Sequence, residues 1–177
     1  MKSKLIAISA VSAGFIALLL TLGSYFEFAD VFTVVFASIF VILPLYYKSY
    51  KACLLTFLAG GLLAFMLSGF NLLSLVFPAY FGFFGLFPIV RLYMQEKNLK
   101  KFIIYIIGLV WCVGVIFGLY FLMLGFMPHL IEGLPLWVEN NIYYILAFLG
   151  VVIYFLFDLS VVKLRVVTDY YLSKIIK

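Results

Sequence analysis

Six apolar runs, each about as long as a bilayer is thick, decide what this chain can be. The first, from Lys4 to Tyr25, reads KLIAISAVSAGFIALLLTLGSY and carries no charge after Lys4. About 20 such residues are what a helix needs to cross the hydrocarbon core. Further runs follow, and together they predict spans over residues 5–25, 31–47, 52–68, 72–90, 102–127 and 142–162. The chain is 68% hydrophobic and 11% charged, against about 45–50% and 25% in a soluble domain. It has too little polar surface to cover a soluble fold. The expectation is an all-α polytopic membrane protein, a six-helix bundle forming one integral membrane domain over residues 1–177.

The charges give that bundle an orientation. With six spans, all twelve Lys and Arg residues fall on one side: Lys2, Lys4, Lys48, Lys51, Arg91, Lys97, Lys100, Lys101, Lys163, Arg165, Lys174 and Lys177. The opposite loops hold Glu27, Asp30, Glu132, Glu139 and His129, the single histidine. Lys and Arg mark the cytoplasm, so both termini are expected inside a plasma membrane. Five spans would destroy this segregation. The net charge of +5 therefore reads as topology, and no nucleic-acid partner is expected. Met1-Lys2-Ser3-Lys4 before an apolar run resembles a secretory signal. The run is too long for a signal's core and no small-x-small site follows, so a retained anchor is expected. Cys53 and Cys112 both sit in apolar runs and read as reduced packing residues.

Small residues mark where helices can approach closely. In the first span Ser9, Ala13, Ala17 and Thr21 fall four apart, with Ala10 and Gly14 beside them. Spacing of four puts them on one face, either for packing inside the chain or as a docking face for a second membrane protein. In the third span Ala52, Thr56, Gly60, Ala64 and Ser68 form an unbroken stripe, read as an internal seam. The fourth span is interrupted by Pro78, Gly82, Gly85 and Pro88 among six aromatic residues, so it is expected to be kinked or broken. Pro44 bends or ends the second span. The fifth contains Gly114-Val115-Ile116-Phe117-Gly118, a common GxxxG. The tail beyond Lys163 mixes charge with Val, Tyr, Leu and Ile and is expected to run on as helix along the membrane surface.

Catalytic signatures are not found. The chain carries no GxxxxGK[ST], no HExxH, no His–Cys cluster and no GxSxG. No enzyme activity, cofactor or metal site is expected. Asp158 is the one acid placed within a span, and its position near Lys163 and Arg165 reads as an interfacial ion pair. Polar and aromatic residues gather instead in the acidic loops, where Glu27, Asp30, Asn71, Glu132 and Trp137 are the candidate ligand-binding residues. Such a set suits a small-molecule pocket and equally an aromatic belt with polar loops. Acids without Lys or Arg favour a neutral or cationic ligand, with cation–π contacts available.

Size, six spans, internal termini and Ala13-Gly14-Phe15-Ile16-Ala17 together resemble the substrate-binding S-component of energy-coupling factor (ECF) vitamin transporters. The glycine-rich segment from Phe57 to Gly69 resembles the third helix of that fold. The resemblance implies uptake of a vitamin or similar small molecule entering from the acidic side. It implies that the first-helix face (Ser9, Ala13, Ala17) docks on a coupling subunit joined to two ATPases. The same fold is shared by MreD-type cell-elongation proteins, which act as scaffolds. They typically carry an acid in the third helix before a Ser-Gly pair. Here Ser68-Gly69 is present, while Ala64 and Phe65 stand where the acid is expected. A non-transporting scaffold is thus the alternative.

Topology is testable in whole cells. In a background lacking Cys53 and Cys112, Asn140→Cys is expected to react with an impermeant thiol reagent, and Ser49→Cys and Asn98→Cys to be protected. Labelling at Asn98 or protection at Asn140 overturns the arrangement.

Overall fold

The computed structural model describes residues 2–26, 30–71, 74–126 and 135–175; side chains of residues 2, 164, 165 and 167–175 are outside the description. Among the described residues six helical segments are long and apolar enough to cross a membrane, so the chain is an all-α, multi-pass membrane protein. In order they are α1 (Lys2–Tyr25), α2 (Asp30–Ile42) with a 3₁₀ turn (Leu43–Tyr47), α3 (Tyr50–Leu67), a broken fourth span, α6 (Lys101–Phe126) and α7 (Leu136–Ile175). The fourth span comprises α4 (Val76–Ala79), a π turn (Tyr80–Phe84) and α5 (Phe87–Glu96). The ends bearing Lys and Arg are called here the basic end of the bundle, and the others the acidic end.

Close approach holds the first half together. Lipid tails are as apolar as Leu, so helices in a bilayer associate through packing rather than hydrophobic exclusion. The α3 stripe of Ala52, Thr56, Gly60, Ala64 and Ser68 is buried throughout, and α3 packs chiefly against α1. A methyl group built on Gly60 would lie 2.7 Å from the Ile16 side chain and 3.2 Å from the Ala13 carbonyl oxygen. Ala13, Ile16, Ala17 and Leu20 of α1 are buried in return. Ser49 caps the seam's start by accepting the Ala52 amide at 3.3 Å. At its other end Gly69 (φ 68°) and Phe70 (φ 59°) turn left-handed, and the Phe70 amide returns to the Phe65 carbonyl.

The broken fourth span is the centre of the molecule and the most buried of the six. Pro78 and Pro88 cannot donate to a helical ladder, and the chain passes between them through the π turn. Neighbouring helices supply bonds there. The Tyr80 hydroxyl donates to the Phe57 carbonyl of α3 at 3.2 Å, and the Trp111 indole of α6 donates to the Gly82 carbonyl at 2.8 Å. The aromatic residues fill the interior: Phe83 stacks on Phe87 at 4.7 Å, Phe84 meets Phe157 of α7 edge-on at 4.9 Å, and Phe87 meets Tyr154 at 5.8 Å.

The hairpin α6–α7 is fully buried against this body only in its basic half, and toward the acidic end Val115 and Ile116 of α6 pack on the core more loosely. Ile104, Gly108 and Cys112 of α6, with Gly150, Tyr154, Phe157, Asp158 and Val161 of α7, are the residues these helices bury among the described side chains. All lie toward the basic end. Nearer the acidic end, residues 113–126 and 136–149 are half-buried or exposed, and the two helices there pack on each other, as Phe117 stacks on Tyr143 at 6.1 Å.

Three sequence expectations change. The fourth span does not stop at residue 90; helix continues to Glu96, so Arg91 belongs to the bundle rather than to a loop. The last helix starts at Leu136, six residues before the expected Ile142. Pro135 sits just ahead of it, and Glu139 in its first turn suits the helix dipole. Pro44 ends the second α-helix as expected: α2 stops at Ile42, and Pro44 is buried near the start of the 3₁₀ turn that follows. The tail is helical, but it continues α7 without a break, so it follows the axis of the span instead of turning along the bilayer.

Glycine substitutions separate seams from lipid-facing sites. Gly60→Ala and Gly108→Ala, the latter driven to 2.5 Å from the Tyr154 ring, are expected to lower stability by about 1–3 kcal/mol. Gly114→Ala, with nothing within 4 Å, is expected to be neutral or stabilising. Thermal unfolding in detergent reads all three.

Candidate functional site

The sequence-derived ligand residues are only partly placed. Glu27 and Glu132, like His129, lie outside the described residues. Asp30 is the first residue of α2, half-buried, and its carbonyl accepts the Thr33 hydroxyl at 2.9 Å. Asn71 is half-buried beyond α3, and its side-chain amide donates to the Ser24 carbonyl at 3.5 Å, at the acidic end of α1. These two therefore flank the same end of α1. Trp137 stands elsewhere, in the first turn of α7, 67% exposed. Its carbonyl accepts the Asn141 amide at 2.9 Å, a bond within α7's first turns. Trp137, Glu139, Asn140 and Asn141 are helical residues, not loop residues as their polarity implied.

The proposed docking stripe has a partner already. Ala13 and Ala17 are buried, in the seam that α3 covers, and Ser9 is half-buried. The small side chains serve the α1–α3 contact within this chain. Of the small residues on α1, Ala10 and Gly14 face outward, and Gly14 has no neighbour within 4 Å of a built methyl.

The chemistry that sequence reasoning missed lies at the foot of the hairpin. Arg91 and Asp158, 3% and 2% exposed, are the fully buried charged side chains among the described residues. Arg91 Nε donates to Asp158 Oδ1, and Nη2 donates to Oδ2 at 2.9 Å. This is the bidentate fork that a guanidinium offers a carboxylate. Arg91 precedes Glu96, the end of its span, and Asp158 precedes Lys163, each by about 7 Å of helix. The depths match, so two helices distant in sequence meet charge to charge. Asp158 was expected to pair with Lys163 or Arg165 at the interface. Arg91, on another helix and facing inward, takes that place.

Around the pair the walls are apolar: Phe87, Leu92, Phe157 and Val161 are buried on the same two helices. One turn toward the acidic end of α7, Tyr154 is also fully buried and lies within electrostatic range of both Asp158 and Arg91. Cys112 of α6 is close by, its thiol directed to the Gly150 carbonyl at 3.6 Å. Among the described residues no group of His, Cys, Asp and Glu is arranged to hold a metal ion.

Breaking the pair is expected to be costly and mending it cheap. Asp158→Ala or Arg91→Ala leaves one uncompensated buried charge and is expected to cost about 3–5 kcal/mol, whereas replacing both by apolar residues, Arg91→Met with Asp158→Leu, recovers most of the loss. Thermal melting of the three purified variants checks the order. Compared with protein-family models, with characterised proteins and with solved structures, the chain matches none.

Proposed function

We propose that this chain is the membrane-embedded, substrate-binding subunit of an ECF-type uptake transporter for a vitamin or comparable small molecule. It sits in the plasma membrane with the basic end and both termini in the cytoplasm, as the charge segregation favours. The observation that carries the reading is the uneven burial of the α6–α7 hairpin. The hairpin is fully buried only near the basic end, while residues 113–126 and 136–149 are half-buried or exposed. A pair of helices loosely packed at the acidic end and buried at the other suits a site that opens outward. That end carries Trp137, Tyr143 and Tyr144, all exposed, and acids without Lys or Arg, so the ligand is neutral or cationic. A coupling subunit with its two ATPases would meet α1 on its outward side, at Ala10 and Gly14.

A scaffold of MreD type is the second reading, and one observation favours it. Phe83, Phe84 and Phe87 fill the space among the helices with rings, which suits a rigid framework better than a roomy binding protein.

Native mass spectrometry and ligand binding on the purified chain separate the two. The transporter reading expects a retained or added neutral or cationic compound, co-purifying ATPases, and affinity falling about tenfold in Trp137→Ala, on the order of one strong cation–π contact. A tightest binder that is anionic, or no binder across water-soluble vitamins and amines together with non-ATPase membrane partners, rejects it.

A further inference from the structure

The Arg91–Asp158 pair uses only one edge of the guanidinium. Nε and Nη2 serve the carboxylate, and Nη1 is buried with no hydrogen-bond partner. Two N–H groups therefore point into the bundle unspent. The Tyr154 hydroxyl is the second such atom in the same neighbourhood, fully buried and without a partner. Tyr154 is one helical turn from Asp158 on α7, and its ring packs on Phe87, one turn from Arg91 on α5. The two unmet groups thus belong to adjacent layers of the same α5–α7 contact, closed on the third side by Gly108 and Cys112 of α6, which are buried there.

A buried donor left unmet is expensive, and apolar walls offer it nothing. We propose that Arg91 Nη1 and the Tyr154 hydroxyl line an internal binding site for a small neutral hydrogen-bonding molecule, with water as its occupant. The electrostatics select that class. The ion pair has no net charge, so an added anion would be a third, uncompensated charge in a low-dielectric interior. A cation would face the guanidinium. Water can accept from Nη1 and exchange a hydrogen bond with the phenol, and buried water is the usual way such groups are met. The site is independent of the transporter reading, since it rests on the interior of the bundle and on no ligand at the acidic end.

Tyr154→Phe tests it through the sign of its effect. Removing a hydroxyl that merely lacks a partner relieves a penalty, so melting would be unchanged or raised. Removing one bridged by water to Arg91 lowers it. The full chain in lipid nanodiscs is expected to melt about 3 °C lower in Tyr154→Phe, a shift typical of losing one such bond in a chain of this size. The loss is expected to vanish in an Arg91→Lys background, which removes Nη1. An unchanged or higher melting point, or an equal drop in both backgrounds, overturns the site. Should Arg91→Lys not fold, an experimental structure that orders water decides instead. Density within hydrogen-bond distance of both Arg91 Nη1 and the Tyr154 hydroxyl upholds the proposal, and apolar side chains closing that space reject it.

Discussion

One ion pair fixes how the two parts of this bundle meet. Arg91 and Asp158 lie 67 positions apart in the chain and at the same depth. A charge placed alone among Phe87, Phe157 and Val161 would be prohibitive, so each makes the other's position obligatory. The pair's value is register more than net stability. Sliding α7 along α5 by one turn would separate the fork and leave two buried charges. The hairpin therefore has one depth at which it can dock, and the ring contacts of Phe84 and Phe87 with Phe157 and Tyr154 form at that depth.

The other half of the molecule uses a different device. The seam between α1 and α3 buries no charge; small residues let the two backbones come together, with Ile16 of α1 seated on Gly60. The broken fourth span then does for the centre what the seam does for the edge. One of its glycines receives a ring from another element: Gly85 takes Phe57 of α3, and Gly61 of α3 takes Phe81 in exchange. The α3 backbone, accepting the Tyr80 hydroxyl at the Phe57 carbonyl, and the Trp111 side chain of α6, donating to the Gly82 carbonyl, anchor the π turn. An irregular backbone at membrane depth is tolerable where such partners surround it.

The six spans, the α3 seam and the irregular fourth span were legible in the sequence, because length, four-residue spacing and proline act locally. The ion pair was not. The expected fourth span ends at residue 90 and leaves Arg91 outside it, though no helix breaker lies between Pro88 and Glu96, and Asp158 is assigned to nearby Lys163 and Arg165. Sequence gives a residue's depth in a span but not its neighbour across the bundle. A match of depth, each charge a turn and a half from the basic end, was the available clue. The face of Ala13 and Ala17 shows the same limit from the other side: spacing announces close approach without naming the partner, which here is α3. At the acidic end, Glu139, Asn140 and Asn141 looked like loop for their polarity, whereas Pro135 starts a helix that carries them outward.

The unbroken length of α7 turns the ion pair into a fulcrum. Leu136 to Ile175 is a single helix, and Asp158 divides it into arms of about 33 Å toward the acidic end and about 25 Å toward the tail. A rod held at that point swings its ends in opposite senses. Whatever draws Trp137 toward the body by a few ångströms pushes the tail the other way by about three quarters as much, on the far side of the membrane.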